Sequence, residues 1–387
     1  MVGMLGVGRL LGGTILGSAF SPAVLFASGE QGAWYDPSDF STMFQNSTGT
    51  TPVTAAEQPV GLLLDKSKEL VLGSELITNG TFDTNTTGWT VGSTSTFSVI
   101  DGQIKAVATS ADGAYFGQLV PVVAGKSYKV GFTTISDGTS KIARLWVGLF
   151  WSGTPITPSS FGSHTVIWKA TTTGDVAFWP YGNVGGVGTY ILCDNISVRE
   201  LSGNHASQST AGSQPVLKAT SNVDFDGTDD KLTGNVAGGG TTGFLFVAGI
   251  NIDVAGSNQT IWSDTGTNTG YRVRINSSNQ VELAAGNGSS FTTAVTTETL
   301  SAGTNYVVAA WHDGANLNVK LGSDGAVASQ AFATASAGTT SFTVGMDNGA
   351  VSSQLNGKVF NAVCVKDFAG SVAAVNSTIA YVNGKLA

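Results

Sequence analysis

The chain has 387 residues, enough for two domains with separate cores, yet only 11 % of them are Asp, Glu, Lys or Arg. Hydrophobic residues make up 41 %, which argues against disorder, and the net charge of −8 offers no basic surface for nucleic acid. The 52 glycines, together with abundant Ser, Thr and Asn, are typical of short strands joined by tight turns. The composition therefore predicts an all-β protein.

The N-terminal stretch, residues 1–28, is apolar and rich in glycine, and Arg9 is its one charged residue. A secretory signal would end near Ala27, but its basic region is thin. A membrane span is disfavoured, because Pro22, Arg9 and several glycines interrupt the roughly 20 apolar residues that a span needs. We therefore predict an extended arm that is buried against other subunits of an assembly.

The residue pattern of the sequence changes twice after this arm. A β-rich unit covers residues 29–69. A segment with a different sequence pattern, residues 70–201, follows it, and the pattern of the first unit continues over residues 202–387. A surface loop tolerates an inserted domain where the two ends of that domain lie close together. We predict a discontinuous domain that carries residues 70–201 as an insert, with Leu70 and Leu201 near each other in space.

Alternation of apolar and polar residues predicts the strands of the insert, and it is clearest at Tyr128, Val130 and Phe132. Eight short strands within this length are typical of a jelly-roll sandwich. The predicted strands are Phe97–Ile100, Gln103–Ala108, Tyr115–Leu119, Ser127–Ile135, Ala143–Trp151, His164–Lys169, Asp175–Trp179 and Thr189–Arg199.

The outer unit is predicted to be a second β-sandwich that ends in a short helix. In the tail, apolar residues recur every three or four positions, which is one face of a helix: Val372, Val375, Ile379, Val382 and Leu386. The predicted strands are Leu62–Leu64, Asn222–Asp226, Lys231–Thr233, Phe244–Asp253, Gln259–Ser263, Tyr271–Ile275, Val281–Ala285, Asn305–Trp311, Leu317–Gly322, Ser341–Gly345 and Lys358–Lys366.

Three stretches of the insert are ELITNGTFDTNTTGWT, LVPVVAGKSYKVGF and ILCDNISVREL. Their Asn-Gly-x-Phe-acid opening, Gly-Lys-x-Tyr strand and closing Asp-x-x-Val strand resemble the jelly-roll carbohydrate-binding modules that accompany xylanases and cellulases. The resemblance implies a structural calcium ion between the first and last strands, and by position Asp83 and Asp194 are its carboxylates. Calcium prefers several hard oxygen ligands, some from the backbone, so two carboxylates form a minimal set.

The outer unit contains GEQGAWYDPSDFSTMF, SGNHASQSTAGSQPVLK and VDFDGTDDKL. These stretches resemble a laminin-G/concanavalin-like sandwich found in tailed-phage virion proteins. In that group, the stretches that correspond here to DKS, Asp65–Ser67, and GNHA, Gly203–Ala206, lie almost together. The resemblance implies a non-enzymatic virion protein of the capsid or tail, present in several copies and anchored to other virion proteins through residues 1–28. A secreted or cell-surface adhesin, or a polysaccharide-active enzyme, is the alternative.

Flat aromatic rings attract the partly positive C–H groups of sugars, so the aromatic residues of the insert are candidates for binding host-surface polysaccharide. The candidates are Trp146, Trp151, Trp168, Trp179 and Tyr181. Packing in the core is the alternative for each of them. For Trp89, in the Gly-Trp pair of the opening stretch, we expect core packing.

No catalytic residue is predicted. None of the three histidines, His164, His205 and His312, accompanies a nucleophile motif, and we expect His205 to hydrogen-bond a loop. The densest acidic cluster, at Asp224, Asp226, Asp229 and Asp230, is typical of a strand that runs into a hairpin turn, with metal binding and catalysis as alternatives. Two cysteines in apolar strand patterns, Cys193 and Cys364, are expected to be buried free thiols.

Overall fold

The computed structural model describes residues 20–148, 154–182, 186–235, 241, 243–348 and 353–386. Most of the predicted arm, residues 1–19, and the candidate Trp151 lie outside the described residues. The described end of the arm is not extended as predicted, because Pro22–Phe26 form a 3-10 helix and Phe26 is buried in an apolar cluster of the same chain. Within the described residues, no helix has the length and apolar composition that a membrane crossing requires.

Most of the regular secondary structure in the described part of the chain is β-strand, as predicted. The strands of its first half are β1 Gly32–Tyr35, β2 Met43–Phe44, β3 Leu62–Leu63, β4 Leu72–Glu75, β5 Thr90–Val91, β6 Ser95–Ile100, β7 Gln103–Ala108, β8 Ala114–Val122, β9 Ser127–Thr134, β10 Arg144–Gly148, β11 Thr154–Ile156, β12 Gly162–Lys169, β13 Gly174–Gly182 and β14 Tyr190–Leu201. Short 3-10 helices lie at Pro22–Phe26, Phe40–Thr42 and Ala211–Ser213.

The second half continues in the same way and ends in one α-helix. Its elements are β15 Ala206–Ser207, β16 Val216–Lys218, β17 Asn222–Asp226, β18 Leu232–Asn235, β19 Phe244–Ile252, β20 Gln259–Ser263, β21 Tyr271–Ile275, β22 Val281–Gly286, β23 Phe291–Val295, β24 Tyr306–His312, β25 Asn316–Leu321, β26 Ala328–Ala331, β27 Ser341–Val344, β28 Asn356–Lys366 and α1 Val372–Asn383. The prediction of an all-β fold with a short C-terminal helix is confirmed.

Two antiparallel sheets are formed by strands from residues 72–201. One has the order β11-β10-β13-β8-β5, and the other has the order β12-β9-β14-β7-β6, with β4 added on β14. Their facing side chains share one apolar core, to which Phe116, Phe132 and Phe178 contribute. Trp89 belongs to this core, as expected, because its ring packs on Phe116 at 5.3 Å and its indole N–H donates to a backbone carbonyl.

The other two sheets come from the flanking residues. A nine-stranded sheet has the order β2-β3-β15-β18-β27-β20-β21-β22-β23. An eight-stranded sheet has the order β16-β17-β28-β19-β24-β25-β26, with β1 paired to β28. A shared core again joins the two, as Phe246 of β19 and Trp262 of β20 show with rings 6.2 Å apart. Cys193 and Cys364 are both buried and free, which confirms that expectation.

Helix α1 covers the outer face of the eight-stranded sheet. The Ser371 side chain caps its first turn by accepting from the N–H of Ala374. Val375, Ile379 and Val382 are buried against the sheet. Val372 belongs to the predicted apolar face but is 61 % exposed, because the first turn extends beyond the sheet surface that the helix covers.

The two ends of the 72–201 segment meet. Leu72 of β4 and Leu201 of β14 are Cα partners, and the backbone N–H of Ser202 lies 3.4 Å from the carbonyl oxygen of Val71. A small apolar cluster at this border joins Leu201 and Ile167 with residues of the nine-stranded sheet. The chain therefore leaves and re-enters the flanking sheets at one place.

Candidate functional site

One outer sheet face of the 72–201 segment is aromatic. In β10, Leu145 and Val147 point into the core, so Trp146 between them projects from the opposite face of the five-stranded sheet. In β13, Phe178 points inward in the same way, and Trp179 projects outward. Trp146 and Trp179 are Cα partners of adjacent strands, so their indoles lie side by side.

A glycine leaves the space that one of these indoles fills. Gly117 of β8 lies directly beneath Trp179: a Cβ atom at this glycine would lie 2.3 Å from the indole ring, closer than any side chain tolerates. The Tyr115 ring meets Trp179 edge-on at 5.9 Å. Leu119, on the same side of β8, is 61 % exposed. We call Tyr115, Leu119, Trp146 and Trp179 the aromatic face; its three rings are half-buried and therefore reachable from solvent.

Tyr181 borders this face but is itself buried. Its Cα partners are Arg144 on β10 and Tyr115 on β8. The Tyr181 hydroxyl donates to the backbone carbonyl of Asp112 at 3.0 Å, and burial raises the pKa of the phenol. Only 6 % of the residue is exposed, so Tyr181 positions the neighbouring strands rather than offering a ring to a ligand.

The structure does not gather the predicted aromatic residues into one site. Trp168 lies on β12, in the other sheet of the segment, where its ring packs against Tyr128 and Phe178 at 5.8 Å each. Trp151 lies outside the described residues. The structure thus brings together Trp146 and Trp179, with Tyr181 alongside, and adds Tyr115, Gly117 and Leu119, which sequence reasoning did not single out.

A groove of about 600 Å³ is lined by β12 and by the loop at residues 46–51. The backbone N–H of Ile167 donates to the carbonyl oxygen of Thr48 at 2.9 Å, which holds the loop against the strand. Trp168 and His164 line the groove, and the His164 ring is held by a contact of 3.1 Å to the carbonyl oxygen of Ser160. Most of the remaining lining is Ser and Thr, and among the described residues no Asp, Glu, Lys or Arg side chain lines it.

The predicted calcium carboxylates lie close enough to interact electrostatically. Burial raises the pKa of Asp194, and the negative charge of Asp83 raises it further, whereas the hydrogen bond from the N–H of Asn195 opposes both effects. Asp83 accepts a hydrogen bond of 3.0 Å from the hydroxyl of Thr81. Carboxylate oxygens are ligands that calcium prefers, so Asp83 and Asp194 stay the candidate carboxylates of the predicted site.

The acidic cluster near β17 lies in a turn, but the predicted hairpin is wrong, because β17 belongs to the eight-stranded sheet and β18 to the nine-stranded sheet. Asp226 accepts from the N–H of Thr228 at 2.7 Å, and Asp230 accepts from the N–H of Asp226 at 3.0 Å. Burial raises the pKa of Asp230 to about 6, and the charges of its acidic neighbours contribute. Asp224, by contrast, lies between Lys218 and Lys358. These hydrogen bonds stabilise the turn, which explains why the acidic residues are spaced as they are.

Two of the histidines make structural hydrogen bonds. His205 accepts from the N–H of Asp65 at 2.9 Å, which confirms that it hydrogen-bonds a loop. His312 is fully buried, with the hydroxyl of Tyr271 2.8 Å from Nδ1 and the carbonyl oxygen of Phe332 3.0 Å from Nε2. The imidazoles of His205 and His312 therefore make hydrogen bonds that stabilise the fold.

One carboxylate pair on the nine-stranded sheet was not predicted from the sequence. Arg272 lies 2.7 Å from Asp347 and 3.8 Å from Glu282. It therefore bridges an acidic residue of β22, Glu282, and one in the loop after β27, Asp347. Burial alone would raise the pKa of Asp347, but hydrogen bonds from Arg272 and Thr265 outweigh it and lower this pKa. An acid that stays ionised in this way cannot donate a proton to a leaving group near neutral pH.

No protein-family model and no curated protein matches this sequence. Among solved structures, the chain is similar to the binding domain of botulinum neurotoxin serotype D, with 12 % identity over 42 % of each chain and a TM-score of 0.34. It is also similar to domains LG4-5 of the mouse laminin α1 chain (12 % identity, 76 % of this chain and 94 % of that chain, TM-score 0.31).

A third match is the carbohydrate-binding module CBM66 of Bacillus subtilis, with 11 % identity over 36 % of this chain and 81 % of that one, and a TM-score of 0.25. Enzymes occur among the matches as well. Similarities with TM-scores this low support no conclusion about the fold, ligand or activity of this chain.

Proposed function

We propose that this protein is a non-enzymatic glycan-binding protein, and that the aromatic face of the five-stranded sheet is its binding surface. The observation that carries the proposal is the pairing of Trp146 with Trp179 on adjacent strands, with both indoles on the side of the sheet away from the core. Sugar rings stack on such surfaces through their C–H groups. A rigid sheet holds the indoles in place, so little ordering accompanies binding.

A single stacking site of this kind binds weakly. Several copies on one assembly would raise the overall avidity, because each further contact is made at high effective concentration. Weak binding at each aromatic face therefore suits a protein that is displayed in several copies better than a soluble receptor that acts alone.

Binding of the full chain to a polysaccharide panel tests the proposal, by affinity electrophoresis with and without Trp146→Ala and Trp179→Ala. We expect the double variant to lose retention while its thermal unfolding stays cooperative. Phe291→Ala serves as the matched control, since Phe291 is a half-buried ring on the nine-stranded sheet, away from the aromatic face. Retention that is the same in the double variant and the parent protein would overturn the proposal.

We propose the following architecture for display. Residues 29–69 and 202–387 form an outer sandwich of the laminin-G/concanavalin type, and residues 70–201 form an inserted jelly roll. The pairing of Leu72 with Leu201 supports this division. Separate expression of residues 70–201 tests it: a cooperative unfolding transition is expected, and an unfolded product would contradict the insertion.

We place this display in the virion of a tailed phage, with residues 1–28 as the attachment to other virion proteins. The support is the sequence resemblance of the outer unit. Mass spectrometry of purified particles would find the chain with residue 1 or 2 as its first residue. A mature start near Ser28 in culture medium, with no chain in particles, would instead favour a secreted or cell-surface adhesin with the same binding face.

A further inference from the structure

A recess of about 430 Å³ lies at one end of the aromatic face. Its walls come from the segment before and within β10, which supplies Ser140, Lys141 and Arg144, and from the loop between β11 and β12, which supplies Thr157 and Phe161. The Phe161 side chain is 37 % exposed, so a ring is available for stacking. This recess thus combines two cations with an aromatic surface.

The recess adjoins the paired indoles through regular strand geometry. Arg144 and Trp146 are two positions apart on β10, so both project from the same side of the sheet. Across the strand, Arg144 is the Cα partner of Tyr181. Burial raises the pKa of Tyr181, and the positive charge of Arg144 opposes this rise.

Neither cation of the recess forms an ion pair within the part of the chain that the structure describes. Among the described residues, no carboxylate oxygen lies within 4.0 Å of Lys141 or Arg144. Two other cations of the same segment are paired, since Lys126 lies 2.8 Å from Glu200 and Arg199 lies 3.0 Å from Glu75. In a chain of net charge −8, two unpaired cations around one recess form a local site for an anion.

The backbone fixes the position of both cations. Lys141 is held by an N–H···O bond of 2.9 Å to Tyr190 and by an isolated bridge to Ile191, and Arg144 is held by the pairing of β10 with β13. The guanidinium is planar and presents parallel N–H donors, a geometry that matches a carboxylate. A sugar that bears a carboxylate could therefore stack on Phe161 and direct its charged group to Arg144 and Lys141.

We infer that this recess is an acidic-sugar subsite, and that the ligand of the aromatic face is a carboxylate-bearing polysaccharide. The inference rests on the proposed glycan-binding function and extends it to a substrate class. The neighbouring groove between β12 and residues 46–51 is lined by no charged side chain of the described residues, so we do not assign this preference to it. Recognition of the acidic sugar combines charge with ring stacking, so it weakens as salt rises.

Paired polysaccharides test the inference on the full chain. A panel of uronate and sialate polymers is compared with the carboxyl-reduced form of each, by affinity electrophoresis and calorimetry. The double variant Arg144→Met, Lys141→Met is expected to lose about tenfold or more in affinity for the acidic polymer, as removal of charge-assisted hydrogen bonds implies, and to bind the reduced form unchanged. Lys129→Met is the matched control, because Lys129 is an exposed cation on the other sheet.

The outcomes separate the two proposals. Equal affinity for acidic and reduced polymers, or a double variant that loses both equally, overturns the acidic subsite. The same holds if no acidic polymer in the panel binds. If Trp146→Ala with Trp179→Ala abolishes binding while the cation variants change nothing, the aromatic face stands and the subsite falls. If the Trp variants leave all binding intact, the aromatic face itself is wrong.

Discussion

The backbone N–H of Asp65 donates to Nδ1 of His205 over 2.9 Å, although 140 residues separate the two in sequence. The other ring nitrogen, Nε2, lies 3.2 Å from the carbonyl oxygen of Leu201, which fixes a neutral imidazole with its proton on Nε2. The Asp65 carboxylate accepts in turn from the N–H groups of Trp34 and Asn204, at 2.8 and 2.7 Å. These bonds clamp the chain where it leaves and re-enters the flanking sheets.

The first prediction concerns this clamp. His205→Ala leaves the buried N–H of Asp65 without its acceptor, and an unsatisfied buried donor costs about 1–3 kcal/mol. The free energy of unfolding in urea should fall by that amount. His164→Ala is the control, since its ring contacts the Ser160 carbonyl at the surface. Equal stabilities of the two variants would mean that the clamp contributes nothing.

The second prediction is a pH dependence of the same contact. Burial lowers the pKa of His205 below its usual 6.5, and this effect exceeds the opposing charge of Asp65. Below about pH 6.5 the unfolded chain therefore binds a proton that the folded chain does not, so the free energy of unfolding falls as the pH decreases.

Urea unfolding at pH 8 and pH 5 measures this effect. The stability difference between the parent protein and His205→Ala should shrink at pH 5, because only the parent has the imidazole to protonate. His312 also has a pKa lowered chiefly by burial, but it is present in both proteins and cancels from the difference. A difference that stays constant with pH would refute the assignment to His205.

The sequence predicted the fold better than the site, and the reason is physical. A strand such as β21, in which Tyr271, Val273 and Ile275 alternate with two arginines, carries its own pattern, and the structure has the predicted bounds Tyr271–Ile275. Two-residue strands such as β5, Thr90–Val91, carry no pattern, since pairing with β8 alone defines them. Likewise, only the register of β10 and β13 decides that Trp146 meets Trp179 while Trp168 packs elsewhere.

The third prediction concerns a buried ion pair in the outer sandwich. Lys366 at the end of β28 contacts Asp264 just after β20, and both side chains are almost fully buried. Asp264→Ala leaves the lysine charge without a partner, so the free energy of unfolding should fall by about 3–5 kcal/mol. In the double variant Asp264→Ala, Lys366→Met, the loss should be smaller than in Asp264→Ala alone.

Denaturant unfolding of the two single variants and the double variant measures the coupling between these residues. The control is Lys358→Met, which removes a surface partner of Asp253 and should cost less than about 1 kcal/mol. Strict additivity of the two single variants at the buried pair would show that the charges do not interact.

The fourth prediction is a calcium effect at Asp83 and Asp194. Burial and the neighbouring Asp83 charge raise the pKa of Asp194, so a bound cation would relieve both penalties. Addition of calcium should raise the melting temperature of the parent protein, by the mass-action stabilisation of a folded state that binds the ion. Asp83→Asn with Asp194→Asn should remove the rise, whereas Asp229→Asn, in the turn cluster, should keep it. A parent protein that calcium leaves unshifted would refute the site.

The final prediction uses the glycine beneath the aromatic face. Gly117→Ala places a methyl group 2.3 Å from the Trp179 ring, so the indole must leave its seat on β8. If the ring stacks on a sugar, glycan affinity should fall roughly 2- to 10-fold, the range expected for one aromatic contact. Gly131→Ala on β9 is a matched control, because its new methyl would have no neighbour closer than 3.8 Å. Equal affinities of the two alanine variants, with both proteins folded by circular dichroism, would show that the seating of Trp179 does not determine binding.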